Sequence, residues 1–265
     1  MNKLCVVAKS QNTYFIKRLT QEVGESNLVF FNPWSEDLIP QADKYLVRTT
    51  GIYFDDRDLE ILKCTKKIII NPIECLKIFR EKNLQYHFFK THKLPHLPWL
   101  YLKNSQLTDA LEFLSKHQVG LIKPNRGQGG WGIRTLSQAD FPTWWHEQQK
   151  KNDLDYLLQP YIQNAVELRI FFAADKKICL KRSALDSVAA NFQQHGLAQL
   201  TEIPTSLVPT LEMLISASGA IYGAIDLLMW QSNVAILELN TVPGIEQLEL
   251  VSGQNIVGEF LSPLI

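Results

Sequence analysis

Four short apolar runs and one helix-like segment make up most of the first 75 residues. The apolar runs have the length and residue content of strands, and they read "KLCVVA", "NLVFFNP", "DKYLVRTTG" and "KKIIINP". The segment "QNTYFIKRLTQEV", between the first two, carries apolar residues at helical spacing. Because helical or loop segments separate the strands, this part predicts a small α/β unit with a partly parallel sheet.

The middle of the chain predicts one long helix and then a second unit of strands and helices. Residues 73–92 place Leu76, Phe79, Leu84 and Phe88 on one helical face before a proline-containing segment ends the helix. The strands expected next are "WLYL", "VGLIKP", "GIRTL" and "DYLLQPYI". Helices are expected between them at "LTDALEFLSKH" and at a segment rich in Trp and Gln.

The last third predicts two β-hairpins with one helix between them. The first hairpin turns at residues 175–177 and the second at residues 231–233. The helix expected between them is "TSLVPTLEMLISASGAI". We therefore predict an α/β (α+β) chain of three units, with limits 1–75, 76–158 and 159–265.

Composition narrows the classes of partner. The chain has 265 residues, and its 27 Lys and Arg balance its 27 Asp and Glu, which argues against nucleic acid or a membrane as partner. The four cysteines form no C-x-x-C pair, and no apolar run approaches the ~18 residues of a membrane span. We expect reduced thiols and a cytoplasmic protein. Trp144 and Trp145 are expected in the core, and the oligomeric state is not indicated.

A glycine-rich loop in "IKPNRGQGGWGI" formally matches the G-x-G-x-x-G dinucleotide fingerprint. That fingerprint requires the loop to open a helix, whereas a β-like run, "GIRTLS", follows here, so a dehydrogenase is disfavoured. A Walker A loop is excluded because no Gly-Lys-Ser/Thr follows. Two strands joined by such a loop, with Lys123 on the first, instead predict a lid whose N–H groups cover phosphate oxygens. By itself the loop also fits a flexible turn beside a surface lysine.

Three oxygen-bearing side chains converge in the second predicted hairpin. Glu238 and Asn240 are two residues apart on one strand and share a face, and the turn brings Asp226 alongside them. Carboxylate and amide oxygens are the hard ligands that Mg²⁺ prefers. The trio predicts a metal site, although a hairpin with polar residues at its ends fits the same pattern.

Taken in order, these motifs resemble the ATP-grasp ligases and, within them, the RimK-like group. The resemblance extends from about Asn71 to Leu261. It is carried by the lysine strand with its glycine lid, "LQPYI", "VELRIFF", "AIDLLMW" and "ILELNTVPGIEQLE". It implies the ATP-grasp fold, in which a small N-terminal α/β domain precedes two α+β subdomains that clasp ATP.

The resemblance also implies a role for individual residues. Nucleotide binding is implied for Lys82, Lys123, Gly127, Gly129, Gly130, Gln159, Pro160, Tyr161, Ile162 and Glu167. Arg169 and Arg182 are expected to face the reacting phosphates together with Lys123. Asp226, Glu238 and Asn240 are expected to hold Mg²⁺ or Mn²⁺. Arg48 and Asn191 are the candidate substrate contacts, although Arg48 fits a surface arginine at a strand end equally well.

Two positions depart from the family pattern. Pro160 stands where a glutamate is common, but adenine needs only a backbone acceptor there, and proline keeps its carbonyl. His195 stands where a glycine is usual, in the loop that contains Asn191. At this loop the resemblance therefore implies neither a particular acceptor nor an unchanged activity.

The implied function is an ATP- and Mg²⁺-dependent carboxylate–amine ligase that works through an acyl phosphate. Its substrate would be an amino acid, a peptide or the tail of a protein. Two alternatives stay open. The same fold can phosphorylate a hydroxyl group, or it can hold nucleotide without catalysis.

Overall fold

The structure is a computed structural model that describes residues 3–51, 55–103, 107–127, 129–151, 154–184 and 196–265. The strands are β1 (Leu4–Val7), β2 (Leu28–Phe31), β3 (Lys44–Val47), β4 (Ile68–Ile70), β5 (Leu100–Leu102), β6 (Val119–Pro124), β7 (Arg134–Ser137), β8 (Tyr156–Pro160), β9 (Val166–Ala173), β10 (Lys176–Ala184), β11 (Gly196–Thr201), β12 (Tyr222–Trp230) and β13 (Asn233–Asn240). The helices are α1 (Tyr14–Val23), α2 (Arg57–Leu62), α3 (Ile73–Phe79), α4 (Lys82–Thr91), α5 (Leu107–His117), α6 (Phe141–Lys151), α7 (Val208–Ser218) and α8 (Glu246–Ser252). A short π-helical turn covers Val257–Leu261.

The first sheet has the order β2-β1-β3-β4, and its paired strands are parallel, as the sequence pattern predicts. Helix α1 begins after Thr13, whose hydroxyl accepts a hydrogen bond from the N–H of Ile16. Its apolar face, with Phe15, Ile16 and Leu19, is buried. Helix α2 was not predicted, because six residues carry too little apolar periodicity to reveal a helix.

The second sheet has the order β5-β8-β6-β7 and is antiparallel throughout. Helices α5 and α6 contribute to the buried cluster on this sheet. Trp144 and Trp145 belong to that cluster and are each only 5% exposed, so the prediction that they lie in the core is confirmed.

The third sheet has the order β11-β10-β9-β12-β13 and is antiparallel. Leu168, Ile170 and Phe172 on β9 pack into a core that α3, α4 and α7 also enter. Side chains alternate along a strand, so Glu167 and Arg169 lie on the opposite face. This alternation gives the sheet one apolar face and one face that carries charged groups.

The long helix predicted for residues 73–92 is wrong, because the segment forms two helices, α3 and α4, with a break at Arg80 and Glu81. Arg80 forms ion pairs with Asp58 and Asp56, which lie far away in sequence. The turn between the helices puts Leu84 on the outer side of α4, where it is 41% exposed. Helical spacing alone does not reveal a break that long-range ion pairs help to fix.

Asn71 joins the first unit to the third sheet. Its side-chain N–H group donates to the carbonyls of Tyr222 and Thr241, at 2.9 and 3.0 Å. Its side-chain oxygen accepts from the N–H groups of Ile221 and Tyr222, and the residue is fully buried. Four hydrogen bonds from one amide fix the end of the first unit against the strands β12 and β13.

The three sheets occupy residues 4–70, 100–160 and 166–240. Helix α4 and part of α3 lie in the range predicted for the second unit, but both helices pack against the third sheet. The limits 1–75, 76–158 and 159–265 stay predictions. Within the ranges that the structure describes, no helix combines the length and apolar content that crossing a bilayer demands.

Candidate active site

A cleft of about 680 Å³ opens between the second and third sheets. It is lined by residues that are far apart in the sequence, namely Lys82 and Lys123 upstream and Asp226, Glu238 and Asn240 downstream. The other predicted site residues that line it are Gly127, Gly129, Gly130, Pro160, Tyr161, Ile162, Glu167, Arg169 and Arg182. The structure therefore brings almost all of the predicted site to one cavity.

The register of the third sheet explains how its charged side chains meet. Arg169 on β9 lies opposite Asp226 on β12, and Asp226 lies opposite Glu238 on β13. One row along the same face, Glu167 lies opposite Arg182 on β10. Two basic and three acidic side chains thus share one sheet face because neighbouring strands place them in register.

The next row of this face is apolar. Phe171 follows Arg169 by two residues on β9, and together with Leu180 and Leu248 it lines the end of the cleft. All three are nearly fully buried in the same core cluster. Glu246 and Gln247 on α8 line the cleft next to Leu248, so this apolar end wall has a polar rim.

Two of the acidic side chains on the sheet, Asp226 and Glu167, are paired with arginines. Nη1 of Arg169 donates to both carboxylate oxygens of Asp226, at 3.3 and 3.1 Å. Nη1 of Arg182 donates to Glu167 at 2.8 Å and lies 3.9 Å from Asp226. Arg182 is only 5% exposed, so this pairing compensates a buried positive charge.

Burial raises the pKa of Glu167, and the neighbouring Arg182 opposes that effect. Both oxygens of Glu167 need a donor or a cation in such an environment. Of the two, Oε1 accepts the hydrogen bond from Arg182. A carboxylate placed in this way can accept a further hydrogen bond from a hydroxyl group of a bound molecule.

Lys82 and Lys123 are buried cations, 6% and 5% exposed. Burial, and then the charge of Lys82, lower the pKa of Lys123 from 10.5 to about 7. Nζ of Lys82 donates to the carbonyl of Gly127 at 2.9 Å, at the start of the glycine loop. A pair of buried ammonium groups that repel each other is a strong attractor for a polyanion.

The glycine loop joins two antiparallel strands, β6 and β7, as predicted. Four of its glycines, Gly127, Gly129, Gly130 and Gly132, have positive φ angles of 124°, 73°, 73° and 72°. At Gly132 a Cβ atom would also lie 2.9 Å from Cγ of Pro124, so a larger residue would be obstructed there. Trp131 in this loop lines the cleft and keeps 54% of its surface exposed.

The strand β8 ends at the cleft, which Pro160, Tyr161 and Ile162 line. The N–H of Tyr161 donates to the carbonyl of Val119, and in this register the carbonyl of Pro160 points away from β6. Leu121 and Leu237 line the same part of the cleft. A β-bulge makes Leu237 the extra residue of β13 next to the Asp226–Glu238 pair. Leu237 and Glu238 can therefore both line the cleft, although they are adjacent in sequence. Apolar walls beside a carbonyl that points away from β6 suit a flat heteroaromatic ring with an amino group.

Of the predicted site residues that the structure describes, two do not line the cleft. Gln159 is fully buried and is not part of the lining. Arg48 donates to the carbonyl of Pro243 at 2.9 Å and to the hydroxyl of Tyr222 at 3.3 Å. Its guanidinium also lies 3.7 Å from the ring centre of Phe15. Asn191 lies outside the described residues, as does His195.

The segment that follows Arg48 does approach the cleft. Thr49, Thr50 and Gly51 line a small side pocket of about 30 Å³. Lys82 and Glu238 line both this pocket and the main cleft. The first unit therefore contributes the segment next to the predicted residue rather than its side chain.

The donor set near the end of β13 suits a hard divalent cation. Asp226 and Glu238 offer carboxylates, and Asn240 offers an amide oxygen that accepts from the N–H of Val242 at 2.9 Å. No group of three or more His, Cys, Asp or Glu in the described ranges forms a metal site by itself. Mg²⁺ or Mn²⁺ would fit these oxygens if phosphate groups and water completed its coordination.

Two residues at the root of the glycine loop were not singled out by the sequence. Asn125 bonds to the first turn of α4, and Arg126 forms ion pairs with Glu81 and Asp56. Both stand between the predicted Lys123 and Gly127, but their partners are about 40 to 70 residues away. Only the folded chain reveals them.

No family model matches the chain. Among curated proteins it is similar to the tetrahydromethanopterin:alpha-L-glutamate ligase of Methanocaldococcus jannaschii, with 24% identity over 253 residues, which cover 92% of this chain and 86% of that protein. Among solved structures it is similar to a RiPP-associated ATP-grasp ligase of Chryseobacterium gregarium in complex with ADP and a leader and core peptide. There the TM-score is 0.75, at 13% identity over 100% of this chain and 96% of the other. It is also similar to a D-alanine–D-alanine ligase of Bacillus anthracis with ATP, with a TM-score of 0.73 and 14% identity over 95% of this chain and 89% of that one.

The chain has the ATP-grasp fold, and the predicted α+β fold class is confirmed. The predicted resemblance to ATP-grasp proteins of the RimK-like group is also confirmed, since its curated relatives include proteins named alpha-L-glutamate ligases.

Proposed function

We propose that this protein is an ATP- and Mg²⁺-dependent carboxylate–amine ligase. The observation that carries the proposal is that Lys82 and Lys123 line the same cleft as Asp226, Glu238 and Asn240. Such a cleft suits a triphosphate, with ammonium groups on one side and metal-binding oxygens on the other. The names of its relatives and structural neighbours support the ligase class.

In the reaction we propose, a carboxylate oxygen attacks the γ-phosphorus of ATP and the bond to the ADP oxygen breaks. An amine then attacks the acyl phosphate, phosphate leaves, and an amide forms after loss of a proton. Lys82, Lys123, Arg169 and Arg182 stabilise the charge on the transferring phosphate. A divalent ion, held by Asp226, Glu238 and Asn240, would add to this neutralisation.

The rest of the nucleotide would occupy the far end of the cleft from Phe171. The carbonyl of Pro160 and the N–H of Ile162 would pair with adenine, and Glu167 would accept from the ribose. The glycine loop, including Gly129 and Gly130, would cover the phosphates and keep water from the acyl phosphate.

We propose an amino acid, a peptide or the tail of a protein as substrate. The apolar end wall formed by Phe171, Leu180 and Leu248 would take an aliphatic portion of that molecule. Glu246, which lines the cleft next to Leu248, offers a partner for its amino group. The cytoplasmic location stays a prediction.

The test is incubation with ATP, Mg²⁺, hydroxylamine and a panel of amino acids and short peptides. Hydroxamate together with ADP and phosphate would support the ligase and name the carboxylate. ADP with a phosphorylated alcohol would show a kinase instead, and nucleotide binding without turnover would show a binding module. Lys123→Ala should abolish hydroxamate formation in a folded protein. Lys116→Ala, at an exposed lysine on α5, is the matched control and should keep normal turnover.

A further inference from the structure

The first turn of α4 is capped by a residue from outside the helix. Glu81 stands at the N-cap position but makes no side-chain capping bond. Instead, the N–H of Lys82 donates to the backbone carbonyl of Asn125 at 2.9 Å. The N–H of Asn83 donates to the side-chain oxygen of the same residue at 2.8 Å. Asn125 therefore satisfies two of the donors that a helix start leaves open.

Asn125 is itself fixed by partners on two further sides. Its own N–H donates to the carbonyl of Asp155 at 2.8 Å, just before β8. Its side-chain NH₂ donates to Oε2 of Glu81 at 3.2 Å. The residue is only 4% exposed, so water does not compete effectively for these bonds. Asn125 is therefore a fixed link between the end of β6 and the start of α4.

This link controls where two ammonium groups lie. Lys82 is the first residue of α4, and Lys123 lies on β6 two residues before Asn125. Both lysines are nearly buried and they repel each other. Because the two lysine side chains repel each other, their backbones must be held in place by other bonds. The bonds of Asn125 to the N–H groups of Lys82 and Asn83 hold them.

Asn125 is not among the residues that line the cleft, so it acts through another residue. We propose that Asn125 is a positioning residue that holds Lys82 at the place where the phosphates of ATP bind. The inference rests on the proposed function, because it requires a nucleoside triphosphate in this cleft. It adds a residue whose contribution depends on phosphate and not on adenine.

Comparing ATP with adenosine separates this positioning role from a purely structural one, because only the positioning role depends on the phosphates. Asn125→Ala keeps the backbone carbonyl that accepts from Lys82 but removes the side-chain bonds to Asn83 and Glu81. It should therefore weaken the binding of ATP and ADP at least tenfold by calorimetry, while adenosine binding stays within twofold. Asn83→Ala is the matched control, since it keeps the backbone N–H that Asn125 caps, and its ATP affinity should stay within twofold. Circular dichroism and thermal unfolding would verify that each variant is folded at the assay temperature.

A rescue experiment covers the case in which Asn125→Ala does not fold. Asn125→Asp keeps an oxygen for the N–H of Asn83 but faces a carboxylate of Glu81, so ATP affinity should fall. Adding Glu81→Gln restores the hydrogen bond between the two side chains, with the amide now on residue 81, and returns the net charge of the pair to its original value. Arg126 loses its ion pair with Glu81 in this variant but keeps the one with Asp56. The double variant should regain ATP affinity to within about threefold of the unmodified protein.

Two results would overturn the positioning role. One is an equal loss of adenosine and ATP binding in Asn125→Ala, and the other is ATP affinity that neither Asn125 variant changes. Failure of the proposed function has a different signature, because the unmodified protein would then bind ATP no better than adenosine. In that case the inference falls with it.

Discussion

Arg169 is bound to Asp226 by hydrogen bonds from one guanidinium nitrogen to both carboxylate oxygens, at 3.3 and 3.1 Å. The two residues are opposite each other in the register of β9 and β12. Asp226 is also a predicted metal ligand, so a divalent cation bound there would compete with Arg169 for the same oxygens. We therefore expect Arg169 to lower the metal affinity, in addition to its predicted role at the phosphates.

We predict that Arg169→Met separates these two roles. Removal of a positive charge about 3 Å from the carboxylate should tighten Mn²⁺ binding severalfold without nucleotide, since partly exposed charges interact by about 1 kcal/mol or more. Turnover should fall by about a hundredfold or more, because a phosphate contact is lost. Mn²⁺ binding by electron paramagnetic resonance and the hydroxamate assay measure the two effects. Arg134→Met, at an exposed residue outside the cleft, should change neither, and weaker Mn²⁺ binding in Arg169→Met would contradict the competition.

Glu167 gives a second prediction, on the ribose. If its carboxylate accepts from the ribose hydroxyls, the protein should bind ATP about tenfold more tightly than 2′-deoxy-ATP, since one hydrogen bond to a charged group contributes about 1.5 kcal/mol. Glu167→Ala should bind both nucleotides with the same, lower affinity. Calorimetric titration of the four combinations measures this. Equal affinities in the unmodified protein would remove Glu167 from the nucleotide site.

Arg48 is expected to stabilise the fold instead of selecting a substrate. Its guanidinium stacks on Phe15 and donates to Tyr222 and Pro243, so it links the first unit to the end of the third sheet. Arg48→Met should lower the free energy of unfolding by roughly 1–3 kcal/mol in a denaturant titration. The KM for the carboxylate should change less than twofold. A large increase in KM with unchanged stability would return Arg48 to the substrate role that the sequence suggested.

Local patterns were sufficient for much of the fold and the cleft. The strand–glycine loop–strand around Lys123 and the hairpin that pairs Asp226 with Glu238 depend on residues close in sequence, and alternation within a strand predicts which side chains share a face. The order of these motifs along the chain then identified the fold. Such information needs no knowledge of long-range contacts.

Long-range pairings account for the parts that were missed or misplaced. The break between α3 and α4 depends on Arg80 reaching Asp58 and on Asn125 capping the second helix. The pairing of Glu167 with Arg182 depends on the register of β9 with β10, which a sequence pattern does not fix to the residue. Arg48 was predicted to contact substrate because its segment resembles the one with which the family's N-terminal domain presents substrate, but its side chain turns to Phe15. In each case tertiary contacts decide the direction of a side chain.

Trp131 should report on the nucleotide. It lies in the glycine loop, lines the cleft and is 54% exposed, so closure of the loop over phosphates would remove it from water. ATP with Mg²⁺ should shift the tryptophan emission to shorter wavelength in a saturable titration. Trp131→Phe should lose most of that shift, while Trp34→Phe, in the first unit, should keep it. An unchanged shift in Trp131→Phe would show that the loop does not cover the nucleotide.

The pKa of Lys123 predicts how ATP binding depends on pH. Burial and Lys82 lower this pKa to about 7, whereas the negative charge of bound phosphates must raise it again. Above about pH 7 Lys123 is deprotonated in the free protein, so it must take up a proton when ATP binds. The titration of Lys123 should therefore leave the affinity for ATP unchanged below pH 7 and lower it by up to tenfold per pH unit above pH 7.

The terminal phosphate of ATP also titrates, so the informative quantity is the difference between the unmodified protein and Lys123→Arg, whose guanidinium stays charged. Calorimetry between pH 6 and pH 9 should show the steeper fall only in the unmodified protein, and parallel profiles would mean that Lys123 carries the same charge in the free and bound states.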